Sequence, residues 1–297
     1  LWPRMNIAGG EHCMIIPDGI LGYLPFEALV SDSNYVGDPG RWNYLVNRLN
    51  IYYGYSLQTS QQSQMTERSH HSFAGFFVSF DSSEAALPAV KKEYDAIHSA
   101  VDGNFYRDRE ASLAAFNKSL PDVNLLHIST HSFLQGKENL PVLQLADDKF
   151  YLFELYGKAF RPQLVVLSAC RTGHGMLAEG EGIISLARGF TATGAEGIVA
   201  GLWNMNDEAA SQLSGNFYKG IADHLPPADA LREAKLTWLK QTNAAAFQKL
   251  PYFWAGMIYS GDNKVVEVQT KKGSPVWWIV AIVGILVISL FFFRRGR

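Results

Sequence analysis

The chain has few cysteines, almost no net charge and no internal repeat. Two Cys in 297 residues cannot build a disulfide framework or a cysteine-based zinc site. They fit a reducing compartment, where a single thiol is free to act as a nucleophile. The formal charge is only -2, so no basic face recommends the chain as a nucleic-acid binder. Neither a G-x-x-x-x-G-K-[ST] loop nor a G-x-G-x-x-G turn after a strand is present, which argues against nucleotide binding. No residue pattern calls for a metal or a cofactor. The chain opens at Leu1 with no charged-then-apolar leader, so we expect a C-terminal piece of a longer polypeptide.

What is present divides unevenly. Residues 276–293, VWWIVAIVGILVISLFFF, carry no charge. At about 1.5 Å per residue they come near the ~30 Å of a bilayer's hydrocarbon. Trp277 and Trp278 stand at one end as interface anchors do; Arg294, Arg295 and Arg297 stand at the other. The expectation is a single-pass C-terminal anchor with a cytoplasmic body. Residues 263–275 would be the linker and 294–297 a basic tail. From residue 264 onward six basic residues face one acidic residue, a net of +5. The body is left with -7.

The body alternates strand and helix, which predicts an α/β sheet. Strands are expected at His12–Pro17, around Asn50–Tyr55, and at Ala74–Phe80, Asn124–Thr130, Leu164–Ala169, Gly197–Trp203 and Tyr252–Tyr259. Helices are expected at Ala89–Ala100, Glu110–Leu120, Gly180–Thr193, Asp207–Ala222 and Ala228–Leu239. Polar Thr59–Ser72 reads as a loop dividing an N-terminal part, 1–72, from a main part, 73–262.

Two strands run into reactive residues: one into Thr130-His131-Ser132, the other into Ala169-Cys170-Arg171-Thr172-Gly173. Functional groups of open parallel sheets gather beyond the carboxyl ends of strands. Were these strands neighbours, His131 would face Cys170, take the thiol proton and return it to a leaving amine. The turn after Cys170 would aim backbone N–H groups at a developing oxyanion. The competing reading makes Cys170 a small apolar residue at a strand end. Cys13 sits inside a strand and His127 inside another; both read as core. His174, in a Gly-rich loop, is a rival base.

Six stretches carry a resemblance. LLHISTHSF (125–133), VVLSACRTG (165–173), GEGIISLARGFTATGA (180–195), IVAGLWNMND (198–207) and PYFWAGMIYSGD (251–262), with IIPDGILGYLPFEAL (15–29), together resemble the CHAT family. This family is caspase-like and related to separase within the caspase–gingipain clan. The resemblance implies a mostly parallel central sheet with helices on both faces. A smaller pseudo-caspase-like N-terminal part would precede it. It also implies a cysteine endopeptidase with His131 as the catalytic His, Cys170 as nucleophile, and no cofactor or metal. The oxyanion would be held by the Ser132 and Cys170 backbones. Ser132 departs from the family's usual Gly, so a non-Gly φ must serve there. Arg171 replaces a frequent acidic residue.

Asp207, by analogy with separase-like relatives, would recognise a basic P1 side chain. It would serve equally as an N-cap, leaving an apolar pocket walled by Trp203 and Met205. Glu179 and Glu181 would contact substrate or tie down the mobile segment Arg171–Gly182. Family members act in bacterial defence and cell death, some by cleaving gasdermin-like proteins, and often follow helical repeats. The expected partners are therefore a protein substrate, the membrane and upstream helical repeats or a regulatory partner, with no nucleic acid. The alternative is a non-proteolytic signalling or scaffold domain at the membrane.

Overall fold

A computed structural model describes residues 10–32, 37–54, 72–80, 89–137, 140–156, 158, 160–169, 179–241 and 243–271, with backbone alone at 169 and 179–185. Cys170, the 171–178 segment, the 59–71 loop and the 276–293 apolar run lie outside the described residues.

The strands are β1 His12–Ile15, β2 Asn50–Tyr53, β3 Phe73–Phe77, β4 Asn104–Arg107, β5 Leu125–Ser129, β6 Ser132–Gln135, β7 Leu140–Gln144, β8 Lys149–Tyr151, β9 Leu164–Ala169, β10 Gly197–Gly201 and β11 Met257–Gly261. The helices are α1 Ala89–Ala100, α2 Leu113–Ser119, α3 Glu179–Ala192, α4 Asp207–Ala222, α5 Pro227–Leu239 and the short turn α6 Pro251–Trp254. Eight strands form one sheet in the order β1-β2-β11-β10-β9-β5-β3-β4. The run β10-β9-β5-β3-β4 is parallel throughout, as is β1-β2-β11. The two runs meet at the antiparallel β10–β11 pair. The mostly parallel α/β architecture is therefore present.

Both faces of the sheet are covered, as continuous apolar strands require. Val90 and Ile97 of α1, Leu213 and Phe217 of α4 and Leu231 of α5 pack on one face with Leu125, Val166 and Val199. Phe116 of α2 and Leu186 and Phe190 of α3 pack on the other with Leu126, Val165 and Ile198. Alternate residues of each strand thus serve opposite layers. Gly194, at φ +110, ends the α3 region in the left-handed conformation glycine allows.

The N-terminal strands are the edge of the same sheet, through Tyr53 paired with Ser260. A buried ion pair fastens them to α5: Lys235 Nζ donates to Glu27 Oε1 at 2.5 Å, and Tyr53 OH donates to the other oxygen.

Four expectations need correction. β1 is an edge strand, so Cys13 is half-buried and His12 exposed. Residues 251–254 are a helical turn, since Pro251 sits at its first position, and the last strand begins only at Met257. The strand expected at 74–80 stops at Phe77. β4 and the antiparallel β6-β7-β8 meander are additional.

Residues 263–271 of the expected linker lie against the body. Val266 and Val268 are buried. Asn124 Nδ2 donates to Glu267 O, Asp102 N donates to Gln269 O at 2.7 Å, and Val101 bridges Thr270. This strap crosses the edge where β5 and β9 begin.

Candidate functional site

Strands β5 and β9 are direct parallel neighbours. Their ladder runs in register to Ile128↔Leu167, then skips Ser168 and pairs Ser129 with Ala169. One residue of β9 is thus extra at the carboxyl end, a bulge of the kind that re-aims side chains beside functional sites. His131 stands two residues beyond the end of β5. Ala169 ends β9, and Cys170 is the next residue in sequence. The sequence-predicted neighbourhood of the two strands is therefore present; Cys170 itself and its oxyanion N–H lie outside the described residues.

His131 is buried to 9% exposure and fixed on several sides. Its carbonyl accepts from Gln144 N at 2.9 Å, and Thr130 Oγ1 donates to Gln144 O, so the β6-β7-β8 meander holds the turn. Its ring lies 4.7 Å from the Phe80 ring. Phe80 has φ +54, a costly conformation for a bulky side chain and one that recurs at functional sites. The adjacent residue is clamped: Asp108 Oδ1 accepts from Ser79 N at 3.0 Å and Ser79 Oγ at 2.7 Å. Val78 N donates to Ser129 O. Neither Phe80 nor Asp108 was suggested by sequence pattern, because nothing local in VSFDS or YRDRE marks them as meeting.

Ser132 opens β6 with a negative φ and is 1% exposed. The backbone here does not need the left-handed region, so serine fits without strain.

Beneath the strand ends lies a buried polar cluster that the sequence did not disclose. Ser129 and Ser168 both donate to the Glu93 carboxylate from α1. Ser214 of α4 lies 3.3 Å from Ser168 Oγ. His127 is fully buried; its Nδ1 is 3.0 Å from Tyr218 OH, and burial pushes its pKa down to about 4. The same burial pushes the Tyr218 phenol well above its ordinary value. Both rings therefore stay neutral at pH 7. The core reading of His127 agrees with this position.

The residues expected for substrate recognition follow β10. Trp203 is half-buried, its Nε1 donating to Tyr252 O at 3.0 Å. Met205 is packed into the core. Gly256 leaves the space they occupy, because a Cβ there would come within 2.9 Å of both. Asp207 is half-buried at the first position of α4, and the helix is capped by its neighbour: Asn206 Oδ1 accepts from Ala209 N. The N-cap alternative for Asp207 is thus corrected, and its carboxylate has no hydrogen bond or ion pair among the described residues. Glu179 and Glu181 open α3, with no side-chain description.

A cavity of about 510 Å³ lies elsewhere, between α3, β10, β11 and the 17–23 turn; none of His131, Trp203 and Asp207 lines it. Among the described residues no group of His, Cys, Asp and Glu is arranged to hold a metal ion. Likewise, among them no helix is long and apolar enough to cross a membrane.

Solved structures with similar folds include the Arg-specific cysteine proteinase gingipain R, at 9% identity and TM-score 0.46, covering 76% of this chain and 56% of that one. The Saccharomyces cerevisiae separase–securin complex matches at 12% identity and TM-score 0.49, covering 81% of this chain and 14% of that one. The complex of Porphyromonas gingivalis RgpB pro- and mature domains matches at 10% and 0.46, covering 82% and 62%. This chain therefore spans less than two thirds of the length of each of these three. No curated protein matches it. The CHAT domain model matches residues 2–262, and the chain belongs to the CHAT domain family.

Proposed function

We propose that this protein is a cysteine endopeptidase whose dyad is His131 and Cys170. The observation that carries the reading is the pairing of β5 with β9, which ends the two strands side by side; His131 follows β5, and Cys170 is the next residue in sequence after β9. His131 takes the thiol proton, and Cys170 Sγ attacks the scissile carbonyl carbon. The N–H groups of Cys170 and Ser132 hold the resulting oxyanion. His131 then protonates the leaving amine as the C–N bond breaks. Water, deprotonated by His131, cleaves the thioester and restores the thiol.

Asp207 is proposed to receive a basic P1 side chain beside Trp203 and Met205. Its half-buried carboxylate, with no partner among the described residues, supports this, because such a group favours a cationic partner. Residues 276–293 are proposed to anchor the body to a membrane, with the body in the cytoplasm. A protein substrate is proposed, with upstream helical repeats or a regulatory partner controlling access. A gasdermin-like substrate in bacterial defence fits a protease held at a membrane.

The test is cleavage of a positional-scanning peptide library by the whole chain in detergent. Cys170→Ala should abolish cleavage. Undiminished cleavage by that variant would end the proposal. A biological output that survives Cys170→Ala but not removal of 275–297 would favour the scaffold role instead.

A further inference from the structure

Two hydroxyls that precede the proposed dyad converge on one buried acid. Ser129 lies two residues before His131, and Ser168 two residues before Cys170. Ser129 Oγ donates to Glu93 Oε2 at 2.7 Å, and Ser168 Oγ donates to Oε1 of the same carboxylate. Glu93 sits in the middle of α1 and is 3% exposed. It therefore bridges the strand that leads to His131 and the strand that leads to Cys170.

The bridge stands where the backbone register changes. Up to Ile128↔Leu167 the ladder fixes the offset of β5 and β9; at Ser168 it slips by one residue. Pairing resumes at Ser129↔Ala169, and the unpaired residue between bends and twists the strand. The side chain of that bulge residue is the one Glu93 holds. An apolar side chain at 93 would pack α1 on the sheet with less desolvation. A two-oxygen acceptor adds a fixed separation between two strand ends. Ser214, 3.3 Å from Ser168 Oγ, backs the bulge from α4, and His127 Nε2 lies 3.7 Å from Glu93 Oε1.

We propose that Glu93 is a positioning residue: by clamping Ser129 and Ser168 it sets His131 relative to Cys170. The proposal rests on the peptidase reading above. It is tested by kcat, KM and Tm of the detergent-solubilised 297-residue chain and its variants, assayed far below the lowest Tm. Glu93→Gln keeps the length and both contact atoms, since a serine hydroxyl rotates to accept from the amide. Glu93→Asp is one methylene short and cannot reach both serines. Ser129→Ala and Ser168→Ala each remove one arm.

A misplacement near 1 Å is worth about 10²-fold, so kcat should fall by about that in Glu93→Asp and about tenfold in each serine variant, KM staying within about twofold. Glu93→Gln should recover most of the loss. Full kcat in Glu93→Asp, with or without a lowered Tm, would overturn the clamp, as would a Gln variant as impaired as the Asp variant. A wild type that cleaves nothing defeats the peptidase reading, and the proposal with it; an active wild type with an undiminished Asp variant defeats the clamp alone.

Discussion

His127 and His131 are four residues apart, yet their surroundings give them different chemistry. His127 has no exposed surface, stacks 4.9 Å from the Phe77 ring and faces Tyr218. Its folded pKa of about 4 lies below the unfolded value of 6.5. Between those values the unfolded chain binds the extra proton, so stability falls as pH drops from 6.5 towards 4. By pH 5 this linkage amounts to about 2 kcal/mol. Urea denaturation at pH 7 and pH 5 should show that loss in the wild type and a smaller one in His127→Gln. Equal losses in both would remove His127 as the cause.

At Asp207 the expected consequence is specificity. Asp207→Ala should cut cleavage after Arg and Lys by at least tenfold while leaving helix α4 capped by Asn206. Unchanged P1 preference would place the determinant elsewhere. Sequence reading singles out His131, Cys170 and Asp207 as candidates because strand ends and family motifs mark them. It missed Glu93 because nothing in the helical stretch 89–100 marks one acidic residue as buried; only the serines of two distant strands give that carboxylate a reason to be there.

Elements with strong periodicity were legible in full: α1, α4 and β9 have the limits the sequence pattern gives. β4 is a four-residue edge strand with half-exposed residues, too short for a pattern. The meander 132–151 carries mixed polarity because Val142, Leu143 and Phe150 are buried while most of its other residues are half-exposed. Its worth lies in holding the His131 turn. The strap 263–271 escaped because it is irregular, but its two valines are core residues. Burying each contributes about 1.5–3 kcal/mol. A chain ended at Gly261 should therefore be at least about 3 kcal/mol less stable to urea than one ended at Lys271. Equal midpoints and slopes would show that the strap is dispensable.

The whole molecule has two ends of different character. The strap runs along the edge where the parallel strands start, and His131 lies at the edge where they finish. His131 is six positions beyond Leu125, roughly 20 Å if strand rise is kept along the way. The chain thus leaves the described body at Lys271, on the side away from the proposed catalytic centre. Liposome flotation checks the anchor: the 297-residue chain should float and a chain ended at Lys271 should not. Failure of both to float would contradict it.

The near-neutral total also resolves at this scale into an acidic body and a basic tail. An acidic body is compatible with the basic peptide substrate proposed above.

The peptidase account stands or falls on one measurement, cleavage of the peptide library by wild type, Cys170→Ala and His131→Ala at pH 7. It predicts product from the wild type and loss of turnover by at least about 10³-fold in each variant, with folding retained. Product formed equally by Cys170→Ala, or none from the well-folded wild type on any sequence, would contradict it.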